Sequence, residues 1–335
     1  MSVTFYEVAR LAKVSTATVS RVLNRTGNVK QDTVDRVMEA VKALGYYPNA
    51  SAKSLAGAGT RTIGVVLPPL ADLSFPDSFT LDFLNGVQTV LIERGYGLLL
   101  LDAKSDPPGY FDAYRERRIE GLIALESMVE TVSHFHQMRK ADFPIALVSD
   151  FGQIEGVSRV DIDVEGLFDQ GVKLLRDLGH QRICLVIYDH RPASESARMA
   201  AAQKVIKSRC RKRGSKVMYT FGLRFGLYAA LLEEVRTGGY DALFVDSPQI
   251  ARYALEAARE TGLKIPDDLS LLALDYTSYD TKLIMPPVDA LTVPSFEIGK
   301  TAAEFVFDRL KDGDRVKVER IRSQHLAYGS IRPRT

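Results

Sequence analysis

The residues best placed to do chemistry lie near the N-terminus, and that chemistry is hydrogen bonding to a polyanion. Following Ser15, a good helix N-cap, the solvent side of a short helix would carry Thr16, Ala17, Ser20, Arg21 and Asn24. Small hydroxyls, an amide and a guanidinium suit base edges and phosphates. Charge agrees with this. Residues 1–61 hold nine Lys and Arg against four Asp and Glu, a balance of +5, whereas the rest of the chain carries −3 of a total of +2. Such a split points to an N-terminal module facing nucleic acid with an ordinary body behind it. A three-helix module that binds protein is the alternative that pattern alone leaves open.

Catalytic chemistry finds no support. No G-x-x-x-x-G-K-[ST] or G-x-G-x-x-G stands at a strand-to-helix turn, so a phosphate cradle of either kind is missing. His134 and His136 fall in a helical stretch without a third ligand, so no metal is expected. Asp161, Asp163, Asp189 and His190 read as polar residues at loops and strand ends. No Ser, Cys or Thr nucleophile sits in a recognisable elbow. Cys184 and Cys210 read as reduced thiols. No catalytic residue, metal or cofactor is assigned.

The elements that position the N-terminal residues are short. Phe5–Leu11 reads as a helix turning Val8, Ala9 and Leu11 inward, and residues 12–14 as a turn. The helix after Ser15 carries Val19, Val22 and Leu23, and a third, Asp32–Leu44, carries Val34, Val37, Met38, Val41 and Leu44 before Gly45 ends it. Two short helices joined by a tight turn make a helix-turn-helix, whose second helix enters the major groove. Residues 47–57 offer about two helical turns between Pro48 and Gly57, too few to persist alone in water. From Thr62 onward, apolar runs such as Ile63–Pro68, Gly97–Asp102, Gly121–Leu125, Pro144–Ser149, Arg182–Ile187 and Ala242–Asp246 alternate with helical stretches. That pattern predicts parallel sheets covered on both faces. With 46% hydrophobic residues the 335-residue chain can build real cores. It has no apolar run of membrane length and no apolar leader at its start, so a cytoplasmic protein with no membrane partner is expected.

The runs VTFYEVARLAKVSTATVSRVLN (Val3–Asn24) and VKQDTVDRVMEAVKALGYYPNASAKSLAG (Val29–Gly57) resemble the DNA-binding module of the LacI/GalR family of transcription regulators. The resemblance implies base reading by Thr16, Ala17 and Arg21, and phosphate contacts by Thr4, Tyr6, Ser15, Thr18, Ser20 and Asn24. It makes Asn49–Leu55 a hinge helix in the minor groove, with Asn49, Ala52 and Lys53 at the DNA and Leu55 wedged into the operator centre. Lys13 departs from the glycine common in the family's turn, which implies a positive φ there.

Thr62–Pro333 resembles, more loosely, the family's effector domain. The fold class implied is a small all-α helix-turn-helix domain (1–46), a hinge and linker (47–61), and an α/β, periplasmic-binding-protein-like (type I), two-lobed effector and dimerisation domain with parallel sheets (62–335). Crossings are expected near Arg159, Leu291 and Arg320, giving lobes of about 62–158 with 292–319, and 160–290 with 321–335. The effector residues implied are Phe79, Thr80, Arg198, Phe221 and Asp275, with Ser247 at a position where the family usually has Asn-Asp but this chain reads Ser247-Pro248. An arginine, an aspartate and an aromatic plane suit a polyhydroxylated ring. The expectation is a homodimeric repressor on a pseudo-palindromic double-stranded operator, released by a sugar-like small molecule. A purine-type co-repressor is the alternative within the class, and a binding receptor without DNA function the one outside it. No C-terminal leucine heptad suggests a tetramer.

Overall fold

A computed structural model describes residues 3–24, 27–46, 59–67, 78–101, 108–125, 132–149, 154–189, 196–210, 214–221, 224–313 and 316–334. The chain divides into two compact units, Met1–Thr60 and Arg61–Thr335.

The first unit contains helices α1 (Phe5–Ala12), α2 (Thr16–Asn24) and α3 (Gln31–Leu44). Helix α1 opens on Thr4, whose N–H and hydroxyl donate to the Glu7 carboxylate at 2.7 and 2.9 Å. Those two bonds hold the Glu7 carboxyl below its ordinary value. The helix ends at Lys13, which adopts φ 54°, so the turn accepts a left-handed lysine where glycine would be unstrained. Ser15 Oγ then accepts from the Thr18 N–H at 3.2 Å and caps α2. Val8, Ala9, Ala12, Val19, Val22, Val37, Ala40 and Tyr46 form the core, with Phe5 edge-on to Tyr46 at 6.0 Å. Two expected core residues are corrected: Leu11 is 51% and Met38 49% exposed. At 100° per residue the inward arc of α1 centres on Val8, Ala9 and Ala12, and that of α3 on Val37, Ala40 and Val41, leaving Leu11 and Met38 to the side.

The second unit is two six-stranded sheets. In chain order β1 (Thr62–Val66), β2 (Gly97–Leu101), β3 (Gly121–Leu125), β4 (Ile145–Ser149) and β5 (Ser158–Asp161) build the first. Strands β6 (Ile183–Asp189), β7 (Lys216–Phe221), β8 (Ala242–Val245), β9 (Ser270–Asp275) and β10 (Asp289–Thr292) build the second. Then β11 (Val318–Arg320) returns to the first and β12 (His325–Leu326) to the second. The orders are β11-β5-β4-β3-β1-β2 and β12-β10-β9-β8-β6-β7, parallel throughout except for β12 against β10. Fully buried runs such as Gly121–Leu125 and Ser270–Asp275 are what two covered faces require. The covering helices are α4 (Ser78–Arg94), α5 (Gly109–Arg115), α6 (Val132–Lys140), α7 (Val164–Asp177), α8 (Ala197–Arg209), α9 (Arg224–Thr237), α10 (Pro248–Thr261), α11 (Asp280–Leu283) and α12 (Ser295–Asp312).

The chain changes sheet slightly later than expected. Arg159 lies inside β5 and Arg320 ends β11, both in the first sheet, while Leu291 belongs to β10 in the second. Strands of three or four residues carry too little alternation to mark such boundaries. Among the described residues no helix is long and apolar enough to cross a membrane.

Helices α4 and α12 pack backbone to backbone. A Cβ on Gly86 would stand 2.0 Å from the Phe296 carbonyl oxygen, and one on Gly299 2.0 Å from that of Phe83. Glycine-to-alanine changes inside helices ordinarily stabilise by about 0.5–1 kcal/mol. Here Gly86→Ala and Gly299→Ala are each expected to destabilise by at least about 1–3 kcal/mol, the usual cost of overpacking. Urea unfolding of the full chain followed by circular dichroism reads the sign. A stabilised variant would contradict the close approach.

Candidate functional sites: a recognition helix and an interlobe seam

On α2, Val19 and Val22 are buried, and Ala17 and Arg21 are exposed on the opposite side. Thr16, Thr18 and Ser20 are half-buried, and Asn24 ends the helix, its side chain outside the described residues. At 100° per residue Thr16, Ser20, Asn24, Ala17 and Arg21 span an arc of about 140°. Tyr6 on α1 is 77% exposed, an aromatic hydroxyl that no core requirement explains. Three other predicted contacts already serve the fold. The Thr4 hydroxyl donates to Glu7, and the Ser15 and Thr18 hydroxyls share a hydrogen bond of 2.9 Å. Each hydroxyl keeps acceptor or donor capacity beyond that bond. Asn49, Ala52, Lys53 and Leu55 lie outside the described residues.

In the second unit, side chains converge at the carboxyl ends of the central strands of the second sheet, where ligands of parallel α/β folds bind. Asp246 directly follows β8, Asp275 ends the neighbouring β9, and Arg198 stands in the first turn of α8. Arg198 Nη2 lies 3.5 Å from Asp246 Oδ2 and donates to the Tyr276 hydroxyl at 3.3 Å. That hydroxyl donates in turn to the Asp246 carbonyl at 2.6 Å. The Tyr188 N–H donates to Asp246 Oδ2 at 3.1 Å, and the Arg198 guanidinium lies 6.0 Å from the Phe168 ring centre. Across the seam, Phe79 of α4 meets Tyr276 edge-on, ring centres 5.6 Å apart at 87°. One turn along α4, Asp82 Oδ2 accepts from Ser295 Oγ at 3.2 Å and from the Phe296 N–H at 3.0 Å. Burial raises the Asp82 carboxyl above its ordinary value despite these donors, and the charges of Asp280 and Asp275 add to the rise.

Phe79 and Arg198 are thus brought together through Tyr276, while the other expected residues sit differently. Thr80 is 4% exposed, beside Phe79. Ser247 Oγ accepts from the Ile250 N–H at 3.3 Å and caps α10, with Pro248 at its first turn. Phe221 ends β7 beside Asp189, its side chain outside the described residues. Asp275 has no exposed surface, and five bonds from the chain fill its carboxylate. Thr277 N–H and Oγ1 and Ser278 N–H reach Oδ1 at 3.0, 3.2 and 3.1 Å, and Thr281 N–H and Oγ1 reach Oδ2 at 2.9 and 2.7 Å. Asp246 and Tyr276, one position from Ser247 and Asp275, are not among the effector residues that the resemblance implies. A carboxylate directly after the apolar run Ala242–Val245 was the available signal for the first.

The family model described as "Bacterial regulatory proteins, lacI family" matches residues 4–49, and a periplasmic binding protein-like domain matches 172–330. The HTH-type transcriptional regulator DegA of Bacillus subtilis is 30% identical over 314 residues, 89% of each chain. The chain belongs to the lacI family. Catabolite control protein A of Priestia megaterium is 28% identical, over 90% of this chain and 91% of that one. Among solved structures, a Lac repressor dimer bound to operator and an anti-inducer superposes with a TM-score of 0.82 at 20% identity, covering 98% and 99%. The transcriptional regulator CelR in complex with cellobiose follows with 0.66 at 23% identity, covering 98% and 99%.

As a lacI-family member the protein is a ligand-responsive, DNA-binding transcriptional regulator and not an enzyme. Groups that could have suggested catalysis have structural work. The His134 ring stacks on Phe111 at 4.4 Å and its Nδ1 lies 3.2 Å from the Tyr110 hydroxyl. Asp163 Oδ1 accepts from the Gly166 N–H at 2.9 Å and caps α7. Burial pushes the Cys184 thiol up to about 12, far from a thiolate at neutral pH.

Because the bonds to Asp275 order the loop 276–281 that presents Tyr276, Asp275→Ala is expected to lower the stability of the second unit by about 3 kcal/mol, leaving buried donors unmet. Asp275→Asn keeps some acceptors and should cost less. Chemical denaturation of both variants reads the order; equal and negligible losses would remove the loop-ordering role.

Proposed function

We propose that this regulator is a repressor of carbohydrate-utilisation genes that binds a pseudo-palindromic operator as a homodimer and is released by a sugar-like inducer. The observation that carries the reading is the convergence of Arg198, Asp246 and Tyr276 at the strand ends opposite Phe79. A guanidinium and a carboxylate hydrogen-bond ring hydroxyls, and aromatic faces cover ring C–H groups. The sugar complex of the structural neighbour CelR favours the same class.

The dimer is supported by apolar side chains that the single chain leaves exposed: Leu81, Ile92 and Leu100 in the first lobe, and Leu283 and Met285 in the second. Side chains of this size recur on both lobes, as an interface spanning both would need. The Lac repressor dimer on operator favours a second copy of the chain as the occupant. On DNA, the recognition face of Thr16, Ala17 and Arg21 reads bases in each half-site, and the segment Asn49–Leu55 enters the minor groove with Leu55 as the wedge.

Two sets of variants test the reading on an operator selected from random duplexes by the full-length protein. Arg21→Ala is expected to weaken operator binding by about 1–3 kcal/mol. Leu55→Ala is expected to lose specific affinity while keeping salt-driven, sequence-independent binding. Equal loss of both binding modes in the Leu55 variant would sink the wedge. Fluorescence anisotropy with and without a panel of neutral sugars then identifies the inducer. It should weaken operator binding by a coupling of about 1–3 kcal/mol, and Arg198→Ala should remove that effect. A purine that tightens binding, with no sugar response, would replace the inducer by a co-repressor.

A further inference from the structure

The arginine at the seam is paired before any ligand arrives, and this bears on which ligand the site accepts. Asp246 is 3% exposed, and its Oδ2 stands 3.5 Å from Arg198 Nη2. The same nitrogen donates to the Tyr276 hydroxyl, which is itself oriented by donating to the Asp246 carbonyl. Asp246 is in turn fixed from the other side by the Tyr188 N–H. The guanidinium is therefore held between a buried carboxylate, a phenol oxygen and the Phe168 ring. Charge pairing in such a site is poorly screened, because little solvent reaches it.

We infer that Asp246 sets the ligand class of the seam, neutralising Arg198 so that the site takes an uncharged vicinal diol and rejects phosphate esters and carboxylates. The inference rests on the effector site proposed above. A pair of hydroxyls on adjacent ring carbons matches an Arg–Asp pair. One hydroxyl oxygen accepts from the guanidinium, which carries five N–H donors, and the other hydroxyl donates to a carboxylate oxygen. The phosphate group of an ester brings only acceptors and about two negative charges at neutral pH. It could use the guanidinium only beside the carboxylate already bound to it. The other described carboxylates close to the seam, Asp82, Asp275 and Asp280, offer an anion nothing. An arginine alone would have favoured anions, so it is the aspartate that decides.

Isothermal titration calorimetry of the full-length protein and of Asp246→Asn, with inorganic phosphate and with the pairs D-ribose/D-ribose 5-phosphate and D-glucose/D-glucose 6-phosphate, tests this. Asparagine retains an acceptor for the Tyr188 N–H, so the fold should persist, and circular dichroism melts check that it does. The expected result is that the parent binds neither phosphate ester more tightly than its neutral sugar. Asp246→Asn should bind inorganic phosphate at least tenfold more tightly than the parent, and adding Arg198→Gln should abolish that gain. A parent that prefers either phosphate ester overturns the proposal. So does a folded Asp246→Asn whose phosphate affinity stays within threefold of the parent's. If the asparagine variant fails to fold, Tyr276→Phe takes its place as a negative control. It keeps the Arg198–Asp246 pair and must gain no phosphate affinity, and a tenfold gain there counts against Asp246. Failure of the effector reading itself shows separately, as neutral sugars that leave operator affinity unchanged while the phosphate measurement still separates parent from variant.

Discussion

The second unit depends on the direct backbone contact between α4 and α12. At Gly86 and Gly299 neither helix has room for a methyl group, so the two cannot slide without losing the close approach. Helix α4 follows the first strand of the first sheet, and α12 begins immediately after the chain leaves the second sheet at Thr292. Their contact therefore anchors, within the first lobe, the helix that the chain enters on leaving strand β10 of the second. Asp82 completes the joint from the side, accepting from the Phe296 N–H in the first turn of α12, where unsatisfied N–H groups and the helix dipole favour a carboxylate. Ser295 Oγ binds both Asp82 and the Tyr276 carbonyl. The start of α12, the crossing segment and the loop after β9 are thus tied at one residue.

Buried carboxylates organise the second lobe in the same manner. Asp275 gathers five donors from residues 277–281, and Asp289 Oδ1 gathers the N–H groups of Tyr328, Gly329 and Ser330 at 2.7, 2.6 and 3.0 Å. The first fixes the loop carrying Tyr276, and the second fixes the returning chain after β12. An aspartate saturated by backbone N–H groups is a rigid joint, since removing the acceptor strands several buried donors at once. The carboxylate of Asp275 is thus filled by its own loop, whereas that of Asp246 faces a side-chain cation.

Much of this was legible in the sequence, for identifiable reasons. Strands β1 to β4, β6 and β8 fall in continuous apolar runs, and Ser15, Lys13 and Gly45 announced the ends of the first helices through capping and φ. What escaped was short or local. Strands β5, β10, β11 and β12 have two to four residues and owe their existence to pairing with a neighbour already in place. Leu11 and Met38 were misread because helical phase, not hydrophobicity, decides which residue turns inward when alanines compete for the arc. At the seam, the family pattern led to Ser247 and Asp275. The side chains that meet Arg198 stand one residue before the former and one after the latter. Resemblance carries over positions, whereas Asp246 and Tyr276 come together with Arg198 only once β8 and β9 lie side by side.

The size of the contacts across the seam also suits a switch. A ligand shifts a conformational equilibrium only by the difference in its interactions with the two states. The edge-on meeting of Phe79 and Tyr276 spans the lobes, and an aromatic pair of this geometry contributes about 0.5–1.5 kcal/mol beyond area burial. On the proposed effector reading, a ring entering between Phe79 and Arg198 exchanges this contact, about 1 kcal/mol of lobe-to-lobe attraction, for its own. Allosteric couplings are about 1–3 kcal/mol, so one such exchange per protomer is of the right order and no larger rearrangement is required. The stiff parts, Gly86 against Gly299 and the carboxylates that saturate their loops, keep the energy from being dissipated within either lobe.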